Sequence, residues 1–317
     1  MQPTEGRKTA PYYGWYVVAT CFFIAFLTVG SRNAFGLFVI PMSEEFGWNR
    51  TTISLVAALG FLVNGLTQPF IGHLFDRLGG RRVILVGLVI IGLATFALSF
   101  TFHILFLIFV FSFVLSTALS GPSLTNTMAL LSKWFRRKRA TAVAFNSAGT
   151  SFGGFLLVPF AMYLLQATNW RVTWAVLGLG VLVLALPLSF LFIRDDPAER
   201  GIQPDGDPGQ PEDSHGGVPS TGQNGPYEVD SWKESLQTPP MWQLSASYVV
   251  CGITTGIIST HFVPFAIDRG VSPTMAATIF GVMMALNVVG GLGAGMLSDR
   301  FRRKNILHEG DLTPMNE

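Results

Sequence analysis

The chain has 317 residues, of which 50% are hydrophobic and 13% charged, with a net charge of +2 at pH 7 and a mean hydropathy of +0.45. A soluble domain of this length needs a more charged surface, so the composition excludes an ordinary soluble protein. Because the basic residues cluster between apolar stretches, the small net charge indicates no nucleic-acid partner.

Eight apolar runs are long enough to cross the ~30 Å hydrocarbon core of a lipid bilayer as helices. They predict an all-α membrane protein with spans at residues 14–39, 51–74, 83–100, 104–131, 140–165, 171–193, 242–265 and 275–297. Lys and Arg concentrate in every second loop, which predicts that the amino terminus, the central loop and the carboxyl end are cytoplasmic. These basic residues are Arg7, Lys8, Arg77, Arg81, Arg82, Lys133, Arg136, Arg137, Lys138, Arg139, Arg194, Arg200, Arg300, Arg302, Arg303 and Lys304.

Residues 195–240 differ from the rest of the chain because they are rich in Pro, Gly and Asp and poor in large apolar side chains. This composition predicts a flexible cytoplasmic linker, with a short interfacial helix over residues 231–236. The predicted organisation is a six-helix N-terminal lobe at 1–194, two helices of a C-terminal lobe at 241–304, and a polar tail at 305–317.

A short charged motif follows the second span and recurs after the eighth. The first copy contains Gly72, Asp76, Arg77, Gly79, Arg81 and Arg82, and the second contains Gly295, Asp299 and Arg300, with Arg302 in place of the second glycine. A positively charged cytoplasmic loop explains the arginines but does not explain an aspartate between two glycines. The glycines favour a tight turn and a close approach of helices, and the repeat indicates two related halves.

Residues 72–82 match the pattern G-x-x-x-D-R-x-G-x-R-R at every defined position, and the chain thereby resembles the major facilitator superfamily of secondary transporters. Residues 14–18, 35–50 and 134–153 resemble its monocarboxylate-transporter-like branch. The resemblance implies a solute path between two six-helix lobes, and therefore a chain truncated after its eighth helix. It also implies that the motif aspartate takes part in a latch between the lobes. Asp299 is expected to face the basic cluster at residues 136–139, whereas Asp76 is expected to have no latch partner in its own chain.

Arg32 is the candidate residue for binding a solute. A lone arginine within a span is costly and normally faces a cavity or a partner, and its guanidinium can hold a carboxylate through two parallel hydrogen bonds. Two alternatives remain open, namely that Arg32 snorkels to the outer interface or that the first span breaks at Gly30-Ser31. The related branch often carries a helix-eight arginine for its carboxylate, and Gly291 occupies that place here.

Neutral polar residues inside the spans are further candidates for lining the solute path, although each equally fits a hydrogen bond between helices. They are Asn33, Asn64, Gln68, Asn126, Asn146 and Asn287, and Asn126 follows a predicted kink at Gly121-Pro122. The spans contain no central carboxylate for proton coupling. The G-x-S-x-G match at residues 149–153 is interpreted as helix packing, not as a hydrolase site.

The predicted function is therefore secondary transport of a small solute, with a small organic anion as the leading class. The alternative is a truncated, non-transporting structural or regulatory membrane protein that self-associates through its incomplete second lobe. No metal-ligand spacing and no phosphate-binding loop occur in the sequence, so neither a metal nor another cofactor is predicted, and no feature indicates an enzyme.

Overall fold

The computed structural model describes residues 12–135, 138–204 and 238–300, which form helices and contain no strand. The eight predicted spans are confirmed in this part of the chain as helices long and apolar enough to cross a membrane. We label them α1 to α8. Their bounds are Gly14–Phe46, Arg50–Leu78, Gly80–Phe100, Ile104–Trp134, Arg139–Ala167, Trp170–Phe192, Pro239–Asp268 and Pro273–Arg300.

Helix α1 is longer than predicted, because it continues past residue 39 to Phe46 and ends at Gly47, which has a left-handed φ of 66°. Its 33 residues correspond to about 50 Å at 1.5 Å per residue. A single irregularity at Ala34 divides it into Gly14–Asn33 and Phe35–Phe46. The alternative that this helix breaks at Gly30-Ser31 is wrong, since both residues are helical and buried.

Helix α4 is interrupted where Gly121-Pro122 predicted a kink. A π-helical stretch over Ile108–Leu115 leads to a short helix that ends at Leu119, and a new helix starts at Leu124. The Ser123 side chain accepts a hydrogen bond from the Asn126 amide at 3.4 Å and so caps the second part. Pro122 cannot donate a backbone hydrogen bond, which explains why the helix restarts here.

Helix α5 packs closely against helices on two of its sides, because its glycines allow those helices to approach. A Cβ added at Gly149 or Gly153 would collide with the carbonyl oxygens of Phe22 or Phe26 on α1. On another side, a Cβ at Gly154 would lie 2.7 Å from the Met284 side chain of α8. The interpretation of residues 149–153 as a packing motif is therefore confirmed.

The described residues divide into two compact units, one comprising 12–204 with 259–300 and the other comprising 238–258. The predicted division into lobes at 1–194 and 241–304 stays a prediction. Of the predicted linker, residues 195–204 are described and contain a short 3-10 helix over Pro197–Arg200. The rest of the linker up to residue 237, with the proposed helix at 231–236, and the tail at 305–317 lie outside the described residues.

Candidate functional site

Arg32 lies in the last turn of α1 before the irregularity at Ala34, and its side chain crosses to α2. The guanidinium carbon is 3.9 Å from the centroid of the Phe61 ring, a cation–π contact. The Nη2 atom is buried and has no hydrogen-bond partner. The two ion pairs formed among the described residues are Arg50–Asp268 and Arg171–Glu45, so no described carboxylate neutralises this cation.

The surroundings of Arg32 leave part of the charge and of the hydrogen-bonding capacity of its guanidinium unsatisfied. A buried donor without a partner costs about 1–3 kcal/mol, and more when it is charged. The aromatic ring offsets part of this cost, by about 2 kcal/mol in a desolvated position. An oxygen of an anionic ligand at Nη2 would supply the missing hydrogen bond and the missing negative charge together.

A seam of polar side chains joins α2 to the irregular part of α4. The Asn64 amide nitrogen donates to the Ser116 carbonyl at 2.8 Å and to the Ser120 hydroxyl at 2.9 Å. One turn further along α2, the Gln68 amide donates to the Ser123 hydroxyl at 2.8 Å. Asn64 and Gln68 follow Phe61 at helical spacing, so the seam runs along the face of α2 that meets Arg32. Both side chains are half-buried.

Asn126 and Asn146 are buried and lie on α4 and α5. The Asn126 amide nitrogen donates to the Ser120 and Gly121 carbonyls, each at 2.9 Å. These bonds satisfy acceptors that the interruption of α4 leaves without helical donors. The Asn146 amide nitrogen donates to the Thr127 hydroxyl at 2.8 Å, while its carbonyl oxygen has no partner. The geometry thus favours a positioning role for Asn126 and leaves a free buried acceptor at Asn146.

The two remaining neutral candidates are on different helices. Asn33 is half-buried next to Arg32 at the end of the first segment of α1. Asn287 on α8 is exposed, and its side-chain oxygen accepts a hydrogen bond from the Ser151 hydroxyl of α5 at 2.9 Å. The described contacts therefore bring Arg32, Asn64 and Gln68 to the α2 face, whereas Asn287 belongs to the packing of α5 against α8.

The first charged motif forms the turn between α2 and α3. Gly79 has a φ of 87°, and a Cβ there would lie 2.5 Å from the Asp195 carboxylate. That carboxylate accepts a hydrogen bond from the Arg81 backbone amide at 2.6 Å and so caps the amino end of α3. The predicted close approach is present at Gly79, whereas a Cβ at Gly72 would meet nothing within 4 Å.

The motif side chains have different environments. The Arg81 guanidinium donates to the Phe190 carbonyl of α6 at 3.0 Å, while Asp76, Arg77 and Arg82 are exposed. The structure describes neither the surroundings of Gly295 nor the side chains of Asp299 and Arg300, and residues 136–137 of the basic cluster also lie outside the described residues. The predicted Asp299 latch therefore stays a prediction.

Asp195 is a residue that the sequence analysis missed, because composition assigned it to the linker. The available signal was an acidic residue that follows Arg194 at the end of an apolar span and precedes Asp196-Pro197. Its effect depends on a contact with the motif turn, more than a hundred residues earlier in the chain. No local pattern reports such a contact.

Several known proteins are similar to this chain. The MFS-type transporter YcxA of Bacillus subtilis is 25% identical over 303 residues, covering 95% of this chain and 69% of the relative. Human monocarboxylate transporter 14 is 29% identical over 224 residues, covering 68% and 42%, and rat monocarboxylate transporter 13 is 25% identical over 288 residues, covering 90% and 61%. The chain thus spans between 42% and 69% of the length of these three relatives.

Solved structures show the same fold. A bacterial homologue of the human lysosomal transporter Spinster, inward-facing and unoccupied, has a TM-score of 0.67 at 19% identity, over 93% of this chain and 64% of that one. A D-xylose-proton symporter has a TM-score of 0.60 at 12% identity, over 92% and 70%. The sequence pattern of the Major Facilitator Superfamily matches residues 21–308, and the chain belongs to this superfamily.

Proposed function

We propose that this protein is a secondary transporter that moves a small organic anion with a carboxylate group across the cell membrane by alternating access. The superfamily membership and the eight membrane spans support transport. The relatives named monocarboxylate transporters support the carboxylate class. In this mechanism the solute binds between two lobes, which rock about it. The distribution of Lys and Arg supports cytoplasmic termini.

The observation that carries the proposal is the buried, unpaired Nη2 atom of Arg32 above the Phe61 ring. We assign to Arg32 the recognition of the carboxylate, and to Phe61 the orientation of the guanidinium. Asn64 and Gln68 offer polar groups along the same face of α2 for the uncharged part of the solute. Asn33 adjoins Arg32 in the sequence, and we assign to Asn126 and Asn146 the positioning of α4 and α5.

The test is uptake of radiolabelled lactate, pyruvate and oxalate into proteoliposomes that contain the purified chain. We expect saturable uptake of at least one acid, its loss in Arg32→Gln, and no uptake of a neutral sugar. Arg269→Gln is the matched control, because Arg269 is also an arginine near a phenylalanine ring but is exposed. Uptake that is equal in Arg32→Gln and in the unmodified chain would refute the assigned role.

The alternative, a membrane protein that does not transport and binds a second copy of itself, predicts a different result. The purified chain would then be folded and dimeric in detergent, and proteoliposomes that contain it would take up none of the acids. Size-exclusion chromatography with light scattering on the same preparation distinguishes this outcome from a misfolded sample.

A further inference from the structure

Helices α2, α3 and α4 enclose a groove of about 440 Å³ beside the amino end of α3. Its walls are apolar, with Leu74 and Leu78 on α2, Val86 and Ile90 on α3, and Phe113 and Val114 on α4. Five of these six side chains, all except Val114, are between 37% and 59% exposed. The groove is therefore open to the surroundings of three membrane-spanning helices.

Arg82 lies at one end of this apolar groove. It is exposed, and within the described residues it forms neither a hydrogen bond nor an ion pair. The nearby carboxylate of Asp195 is already occupied, since it accepts the Arg81 backbone amide. An uncompensated cation at the mouth of an apolar groove matches a ligand that has an anionic head and a hydrocarbon tail.

The dimensions agree with a lipid. From Arg82 to Ile90 the groove follows α3 for about 12 Å at 1.5 Å per residue, which is close to one leaflet of a ~30 Å hydrocarbon core. Basic pockets between membrane helices on the cytoplasmic side bind the head groups of anionic lipids. The Lys and Arg distribution predicts that this end of α3 is cytoplasmic.

We propose that the α2–α3–α4 groove is a binding site for an anionic phospholipid, with one acyl chain in the groove and the phosphate on Arg82. The proposal does not depend on the assigned transport function. An inactive chain would carry the same groove and the same cation.

The test is native mass spectrometry of the full chain, released from detergent with palmitoyl-oleoyl phosphatidylglycerol or the corresponding phosphatidylcholine. We expect preferential retention of phosphatidylglycerol. Arg82→Gln should weaken that retention about fivefold, the factor that one basic residue contributes near an anionic surface. Arg139→Gln, an equal loss of charge at the start of α5, should leave it unchanged. Excess inorganic phosphate should not displace the lipid.

A second pair of variants tests the groove itself. Val86→Trp places a large ring in the opening without altering the buried core, because Val86 is 59% exposed, and it should abolish the preference. Val183→Trp is the matched control on α6, where the side chain is 64% exposed and lies outside the groove. The proposal is overturned if Val86→Trp retains phosphatidylglycerol like the unmodified chain, if Arg139→Gln loses as much as Arg82→Gln, or if phosphate displaces the lipid.

Discussion

Replacing Gly79 by alanine tests whether the motif turn is a built structure or only a charged loop. Gly79 has φ 87° and ψ 146°, a backbone conformation that residues other than glycine rarely adopt. A residue held in such a region costs about 1–3 kcal/mol. The added Cβ would also lie 2.5 Å from the Asp195 carboxylate, and displacing this cap costs a further ~0.5–2 kcal/mol. We therefore expect Gly79→Ala to lower the free energy of unfolding by about 1.5–5 kcal/mol.

Gly72→Ala is the control with the opposite expected sign. Gly72 belongs to the same motif but lies inside α2, and a Cβ there would meet no atom within 4 Å. Alanine in a helix interior is more stable than glycine by roughly 0.5–1 kcal/mol, so this variant should stabilise the chain. The assay is reversible unfolding in mild detergent, followed by far-ultraviolet circular dichroism.

Combining Gly79→Ala with Asp195→Ala separates the two contributions. Asp195→Ala by itself removes the steric contact and the cap. Adding Gly79→Ala to the Asp195→Ala chain should therefore cost only the backbone strain, about 1–3 kcal/mol relative to Asp195→Ala alone. If Gly79→Ala proves as harmless as Gly72→Ala, both the strained turn and the Asp195 contact are wrong as described.

Three further predictions concern packing and charge, each checked by the same unfolding assay. Gly153→Val should destabilise the chain by about 1–3 kcal/mol, because the added side chain overpacks α5 against α1. Gly180→Val is the control, since a Cβ there would meet no atom within 4 Å. If Gly153→Val costs no more than Gly180→Val, the described packing is contradicted. Arg50 begins α2 and Asp268 ends α7, so each charge has the same sign as the partial charge of its helix end, which is unfavourable. The two side chains form an ion pair at 2.7 Å. In a double-mutant cycle of Arg50→Gln and Asp268→Asn, we expect an interaction free energy of about 0.2–1 kcal/mol. A value of zero would mean that the exposed pair contributes nothing to stability. Asn126→Leu should cost about 1–3 kcal/mol, because it leaves two carbonyls at the α4 interruption unsatisfied, and an unchanged stability would show that those carbonyls find other donors.

The number and type of the spans were predictable from the sequence, because continuous apolar runs of membrane length permit few other structures. The interruption of α4 was also predictable from the sequence, since Pro122 lacks a backbone N–H donor. The continuation of α1 to Phe46 was not, because the polar pair Glu44-Glu45 follows Pro41 and ends the apolar run. In the structure this end is held by Glu45, which accepts the Trp170 indole N–H at 2.5 Å and pairs with Arg171 at 2.6 Å.

The candidate site was predictable in residue type and not in arrangement. A lone arginine in a span indicates function by its cost alone, but its contact with Phe61 requires knowing which faces of α1 and α2 meet. The polar seam has the same limit, because Asn64 and Gln68 share a helix face in any α2, whereas their partners Ser120 and Ser123 depend on how α4 bends. Packing between distant segments, which no local pattern encodes, supplies this information.

The central claim is that Arg32 binds a small carboxylate, and equilibrium binding of labelled lactate, pyruvate and oxalate to the purified chain tests it most directly. Hydrogen bonds to a charged group contribute about 1.5–3 kcal/mol, so Arg32→Gln should weaken binding of the preferred acid by roughly 10-fold to 150-fold. Arg32→Lys should lose less affinity for the acid than Arg32→Gln, because lysine keeps the positive charge although it lacks the two parallel donors of the guanidinium. Binding in Arg32→Gln that equals binding in the unmodified chain would contradict the account.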